Sequence, residues 1–248
     1  MTGQILTKRE GAVLHVTLNR PDKKNAITTE IYRGMAAALN EADSDDKIGA
    51  VVITGSGGCF TAGNDVGDFL NGTRDKDEQP GLRFIRTIAA CNTPIVAAVD
   101  GVAVGVGTTM LFHCDLIYAS PTAKFRMPFV DLGLVPEAAS SLLVPLRVGM
   151  AKATEMLMLG DAFNAEDALR FGVINAIVPA EKLVDHALEQ ATRLAAKPRN
   201  ALAQTRRLLR GDRADVLKRI DDEIVLFTAA LQSDEARAAF MAFLSRAK

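Results

Sequence analysis

The order of extended and helical segments predicts an α/β fold with crossover connections. Three observations carry that expectation. Short β-branched runs alternate with amphipathic stretches through the first two-thirds of the chain, the connections between them are short, and the periodicity turns almost wholly helical from Glu137 onward.

In chain order, Val13, His15 and Thr17 alternate with Leu14, Val16 and Leu18, a period-two strand that stops at the basic turn Asn19-Arg20-Pro21-Asp22-Lys23-Lys24. Thr28 or Thr29 caps a helix to about Ala42, with Ile31, Met35, Ala38 and Leu39 on one face. Ala50 to Thr54 reads as a buried strand. Asn71 to Gly81 reads as a mobile surface loop ahead of a helix from about Leu82 to Cys91, and Pro94 leads into a strand from Ile95 to Val99. A helix from about Gly107 to His113 and a strand from Leu116 to Ala119 follow. Thereafter helices are expected over 138–148, 152–159, 165–171, 182–197 and 201–209, with two more between Ala214 and Arg246; only Val173 to Val178 looks extended. The weak boundary at Lys197-Pro198-Arg199-Asn200 divides a core, residues 1–197, from a helical region, residues 198–248.

Bulk properties exclude several functional classes. A chain of 248 residues buries a sizeable core. Its 29 Lys and Arg against 30 Asp and Glu leave no basic stripe for nucleic acid and no polybasic membrane patch. No window approaches the ~20 apolar residues of a membrane span, and the N-terminus lacks the pattern of a secretory signal, so a soluble, cytoplasmic protein is expected. Cys59, Cys91 and Cys114 are odd in number and lack CxxC spacing, which fits small buried hydrophobes in a reducing compartment. His15, His113 and His186 are scattered, so no metal site is expected.

Two glycine-bearing loops stand out. Gly63-Asn64-Asp65 precedes a helix, and Gly101 to Gly107 joins a strand to a helix, so each can present backbone N–H groups to a negative oxygen. Each also reads as a turn that needs positive φ angles. Neither is a nucleotide fingerprint, because the last glycine of the dinucleotide pattern is missing and no GxxxxGK occurs. Ser140 and Ser141 lie outside a G-x-S-x-G elbow and read as packing or capping hydroxyls.

Glu137 is the carboxylate of interest. After Pro136 at a helix start it suits the macrodipole, worth ~0.3–1 kcal/mol, without any catalytic role. Its neighbours Phe129, Leu132, Leu134 and Val135 supply the opposing effect, since desolvation raises a carboxyl pKa and suits it to proton transfer. Asp131, in a turn, and Asp68, on an exposed face, rank below it. A base beside N–H donors is a recipe for enolate chemistry.

The chain resembles the crotonase superfamily, the enoyl-CoA hydratase and isomerase group. The resemblance rests on Leu18-Asn19-Arg20-Pro21 with Asn25-Ala26, on Phe60-x-Ala62-Gly63-x-Asp65, on Val99-Asp100-Gly101 to Gly107 with Cys114-Asp115, and on Gly172 to Pro179. It implies a spiral of ββα turns, with a C-terminal helical region that serves trimerisation and covers the active site, and assembly as a homotrimer or dimer of trimers. It also implies an oxyanion hole at the N–H groups of Asn64 and Val106, and an acyl-CoA substrate lying against Lys23, Lys24, Ala26, Ala62, Gly63 and Asp65. No separate cofactor is implied, since coenzyme A is part of the substrate.

Family hydratases use two glutamates to hold water, and this chain has Thr109 and Phe129 at those positions. Glu137 instead matches the single glutamate of peroxisomal-type Δ3,Δ2-enoyl-CoA isomerases, which the chain also resembles at Pro136-Glu137 with Ser140-Ser141 and at Ala151 to Leu157. The activity so implied is isomerisation of 3-enoyl-CoA to trans-2-enoyl-CoA, with Phe69, Leu70, Phe84, Thr109, Phe129 and Leu134 around the acyl chain. A 2-enoyl-CoA hydratase or other CoA-thioester enzyme, and a catalytically silent acyl-CoA-binding protein, are the alternatives.

Overall fold

The computed structural model describes residues 3–67 and 79–246. It opens with an antiparallel pair, β1 (Ile5–Glu10) and β2 (Val13–Leu18), in register from Ile5 opposite Leu18 to Glu10 opposite Val13. β1 was not expected from sequence: as the edge strand it is half exposed, so Ile-Leu-Thr-Lys-Arg-Glu shows no apolar alternation. Helix α1 (Thr29–Ser44) is capped by Thr28, whose hydroxyl accepts the Ile31 N–H, and it buries Ile31, Met35, Ala38 and Leu39.

Strand β3 (Ala50–Gly55), helix α2 (Pro80–Ala90) and strand β4 (Ile95–Val99) follow, the last buried along its whole length. The loop after β4 contains a short strand, β5 (Val102–Val104), before helix α3 (Val106–Thr109) and a 3-10 turn, Met110–His113. Then come β6 (Leu116–Ala119), β7 (Lys124–Arg126) and helix α4 (Ser140–Val148). Helix α5 (Met150–Thr154) passes into a π turn, Glu155–Leu159, and is followed by β8 (Phe163–Asn164), α6 (Ala165–Arg170) and β9 (Ala176–Ile177). The remaining helices are α7 (Ala180–Ala195), α8 (Arg199–Arg210), α9 (Arg213–Leu231) and α10 (Asp234–Arg246).

The strands form two sheets. One is six-stranded in the order β1-β2-β3-β4-β6-β9, parallel except at the β1–β2 edge, and the other is β5-β7-β8. Because β4, β5, β6 and β7 fall alternately in the two sheets, the chain winds as a spiral of ββα turns, as the resemblance implies. The pleat sorts residues between layers: Val51 and Ile53 face α1 and α2, whereas Ala50 and Val52 face Leu183, Ala187 and Ala191 of α7.

Candidate active site

Two loops meet at one end of the large sheet. Thr61 bridges Ala103, and Gly63 lies so close to the second loop that a Cβ on it would stand 2.6 Å from the Val104 carbonyl oxygen. With φ at +85° as well, that position admits only glycine. The turn at Lys24 and Asn25 is stitched to the same loop, the Ala62 N–H donating to the Lys24 carbonyl at 2.9 Å and the Ile27 N–H to the Gly63 carbonyl at 2.8 Å.

This stitching leaves two N–H groups free. Gly63 donates to the Thr61 hydroxyl and Asp65 to the Ile27 carbonyl, while the Asn64 N–H between them has no partner among the described residues. Gly105 donates to Arg126, and Val106 likewise has none. Asn64 and Val106 both line a cavity of about 500 Å³ whose wall also includes Phe129, Leu134, Phe227 and Phe240. Phe227 and Phe240 come from α9 and α10, so the C-terminal helices close one side of it. Tyr32, which sequence reasoning overlooked, donates its hydroxyl to Asn64 Oδ1 at 2.6 Å and so fixes that loop from α1.

Glu137 is buried at 7 % exposure and held by α3. Thr109 Oγ1 donates to Glu137 Oε1 at 2.5 Å, and Oε2 accepts no hydrogen bond from any described residue. Val106 and Thr109 lie three residues apart on that helix, so one turn carries both an unpaired N–H and the hydroxyl that anchors the carboxylate. Burial pushes the Glu137 carboxyl up to about 8, against the Thr109 bond that favours its charged form; the neighbouring charge of Glu223 adds to the rise.

Some expectations need correction. The helix expected from Ala138 begins at Ser140, because Ala138 and Ala139 both take left-handed φ angles of 59° and 54°. Phe84 is fully buried in the core against Tyr32, with ring centroids 5.6 Å apart, and is not in the cavity wall. Neither Thr109 nor Glu137 is among the residues of the cavity wall, and the buried Thr109 hydroxyl is turned toward the Glu137 carboxylate. Asp65 is ion-paired with Arg20 at 2.6 Å, and Lys23 and Lys24 are exposed beside Ala26. Asp68, Phe69, Leu70 and most of the 71–81 loop lie outside the described residues. Asp131 pairs with Arg126 at 2.8 Å, and both line the cavity. Glu223, also unforeseen, had a sequence signal: with Ile220 and Phe227 it occupies the buried stripe of α9, a carboxylate where helical spacing calls for an apolar residue.

The enoyl-CoA hydratase/isomerase family profile matches residues 8–248. Enoyl-CoA delta isomerase 2 of Rattus norvegicus is 34% identical over 98% of this chain, which spans 63% of that protein's length. A probable enoyl-CoA hydratase of Mycobacterium bovis is 31% identical over 98% of this chain and 95% of its own. Among solved structures, an enoyl-CoA hydratase/isomerase from Pseudoalteromonas atlantica superposes with a TM-score of 0.95 at 41% identity, covering 98% of this chain and 97% of that one. The chain belongs to the enoyl-CoA hydratase/isomerase family of the crotonase superfamily. It is thus a member of an enzyme family that acts on acyl-CoA thioesters. No helix among the described residues is long and apolar enough to cross a membrane.

Proposed function

We propose that the protein isomerises 3-enoyl-CoA to trans-2-enoyl-CoA with Glu137 as its single proton shuttle. The observation that carries this reading is the asymmetry of the buried carboxylate: Thr109 anchors Oε1, and Oε2 is left unpaired to take a proton. A carboxyl raised to about 8 is a stronger base than an ordinary one once ionised, and its acid form can hand the proton back to carbon. The C2–H bond breaks toward Glu137, and its electron pair delocalises through the C3–C4 double bond and the thioester carbonyl as a dienolate. The N–H groups of Asn64 and Val106 stabilise that oxygen, each worth about 10²–10³-fold in rate by analogy with other oxyanion holes. Glu137 then returns the proton at C4, and the double bond lies between C2 and C3. Water is not consumed, so one carboxylate suffices.

Thr109 and Phe129, at the two positions where family hydratases carry glutamates, support isomerisation over hydration. In this reading the CoA moiety lies along the stitched Lys23–Ala26 and Ala62–Asp65 segments, the acyl chain runs between Phe129 and Leu134, and the substrate brings its own coenzyme A without a further cofactor. Leu208 and Leu209, 84% and 83% exposed on α8, support burial against other copies in a trimer or dimer of trimers. Three buried free cysteines suit a reducing compartment such as the cytoplasm. The test is a paired assay of the purified protein on 3-hexenoyl-CoA isomerisation and 2-hexenoyl-CoA hydration. Isomerisation should dominate; faster hydration would replace this reading with the hydratase one, and no turnover of either would favour a silent acyl-CoA binder.

A further inference from the structure

We propose that Glu223, on α9, is a positioning residue for the Glu137 base, through its grip on the strained turn that carries Glu137 and through its fixed negative charge. Ala138 and Ala139, directly after Glu137, are consecutive non-glycine residues in the left-handed region, at φ 59° and 54°. Alanine takes that conformation only where its surroundings impose it. Here the constraint comes from a segment some eighty residues away. Glu223 Oε2 accepts the Ala139 N–H at 2.6 Å, and Oε1 accepts the Ser141 N–H at 3.0 Å and the Ser141 hydroxyl at 2.5 Å. The Ser140 hydroxyl donates to the Glu137 carbonyl at 2.6 Å, and neutral His113 donates from Nε2 to the Ala138 carbonyl at 2.8 Å.

Two buried carboxylates thus differ in how many donors hold them. Burial pushes the Glu223 carboxyl above its ordinary value, and three donors together with Arg219 on its own helix oppose that rise by favouring the anion. Glu137 meets one donor and faces Glu223 from α9, Tyr32 from α1 and the Thr109 hydroxyl from α3. Both oxygens of Glu223 are held by donors, whereas Glu137 keeps one oxygen without a partner among the described residues. Such a division between paired carboxylates is how acid and base roles are separated. Glu223 itself exchanges no proton with substrate.

The inference rests on Glu137 being the base, and its test separates the two claims. kcat and KM for 3-hexenoyl-CoA isomerisation are measured against pH for the full-length parent, Glu223→Gln, Glu223→Asp and Glu137→Gln. Glu223→Gln keeps the side chain's shape but loses the charge and one acceptor. Its acid limb should move to lower pH, and its plateau kcat should fall about 10–100-fold from misplacement of the base. KM should stay near the parent value, because the Asn64 and Val106 donors are untouched. Glu223→Asp keeps the charge on a shorter arm, so its limb should remain where the parent's lies while kcat falls. A limb at the parent position in Glu223→Gln, or parental kcat in both Glu223 variants, overturns the proposal even if Glu137→Gln is inactive. Parental activity in Glu137→Gln overturns the underlying assignment of the base instead.

Discussion

Replacing Thr109 by valine removes one hydroxyl from a buried carboxylate and leaves the side chain's shape in place. In the parent that hydroxyl donates to Glu137 Oε1 at 2.5 Å, and it opposes the burial that pushes the carboxyl up to about 8. A hydrogen bond to an ionised group contributes about 1.5–3 kcal/mol and one to a neutral group about 0.5–1.5, so the charged form loses about 1–1.5 kcal/mol more than the neutral form. At 1.36 kcal/mol per pKa unit, the carboxyl rises by about one further unit. The acid limb of kcat/KM for isomerisation should move up by about one pH unit, and the rate at pH 7 should fall about ten-fold. At pH values above the shifted limb, most of the parental rate should return. Stopped assays of 3-hexenoyl-CoA across pH 6 to 10 read both quantities. A limb that stays put, or moves down, would refute the claim that Thr109 tunes the base.

Tyr32→Phe deletes the 2.6 Å bond to Asn64 Oδ1 and should lower kcat about 2–10-fold while leaving the unfolding midpoint nearly unchanged, as read by paired kinetics and urea melts. Gly63→Ala places a methyl 2.6 Å from the Val104 carbonyl oxygen at a φ of +85°, so both stability and isomerase activity should fall sharply in thermal melts and turnover assays. Glu137 also predicts a stability profile. Its folded pKa of about 8 lies above the ordinary 4.5, so the native state holds that proton more tightly than the unfolded chain. The associated stability is fully present below about pH 4.5 and is lost as pH rises to about 8. His113, pushed down to about 4 by burial, acts in the opposite sense, its contribution being lost as pH falls below its ordinary 6.5. The difference between parent and Glu137→Gln in chemical denaturation isolates the Glu137 part, and the variant should gain most relative to the parent near pH 8.

The regular elements were legible wherever one local rule decided them. Thr28 or Thr29 reads as a cap, β3 as a buried strand and Glu137 as a carboxylate among apolar neighbours because each signal lies within a few residues of its cause. What sequence reading missed depends on distant partners. β5, β7 and β8 span two or three residues each, and their pairing across the second sheet defines them, so no periodicity can develop. Ala138 and Ala139 carry no turn signal, because their left-handed angles are imposed by Glu223 on α9. Tyr32, buried on α1, drew no notice in the sequence because only the folded chain brings its hydroxyl to Asn64.

The most direct test of the single-base account is the isomerisation rate of Glu137→Gln at saturating 3-hexenoyl-CoA, beside that of the parent. The substitution preserves the side chain's shape and removes the proton acceptor. The account predicts a kcat lower by about 10²–10⁴-fold, the range for loss of a general base, with substrate still bound. A variant within a few-fold of the parent would contradict it.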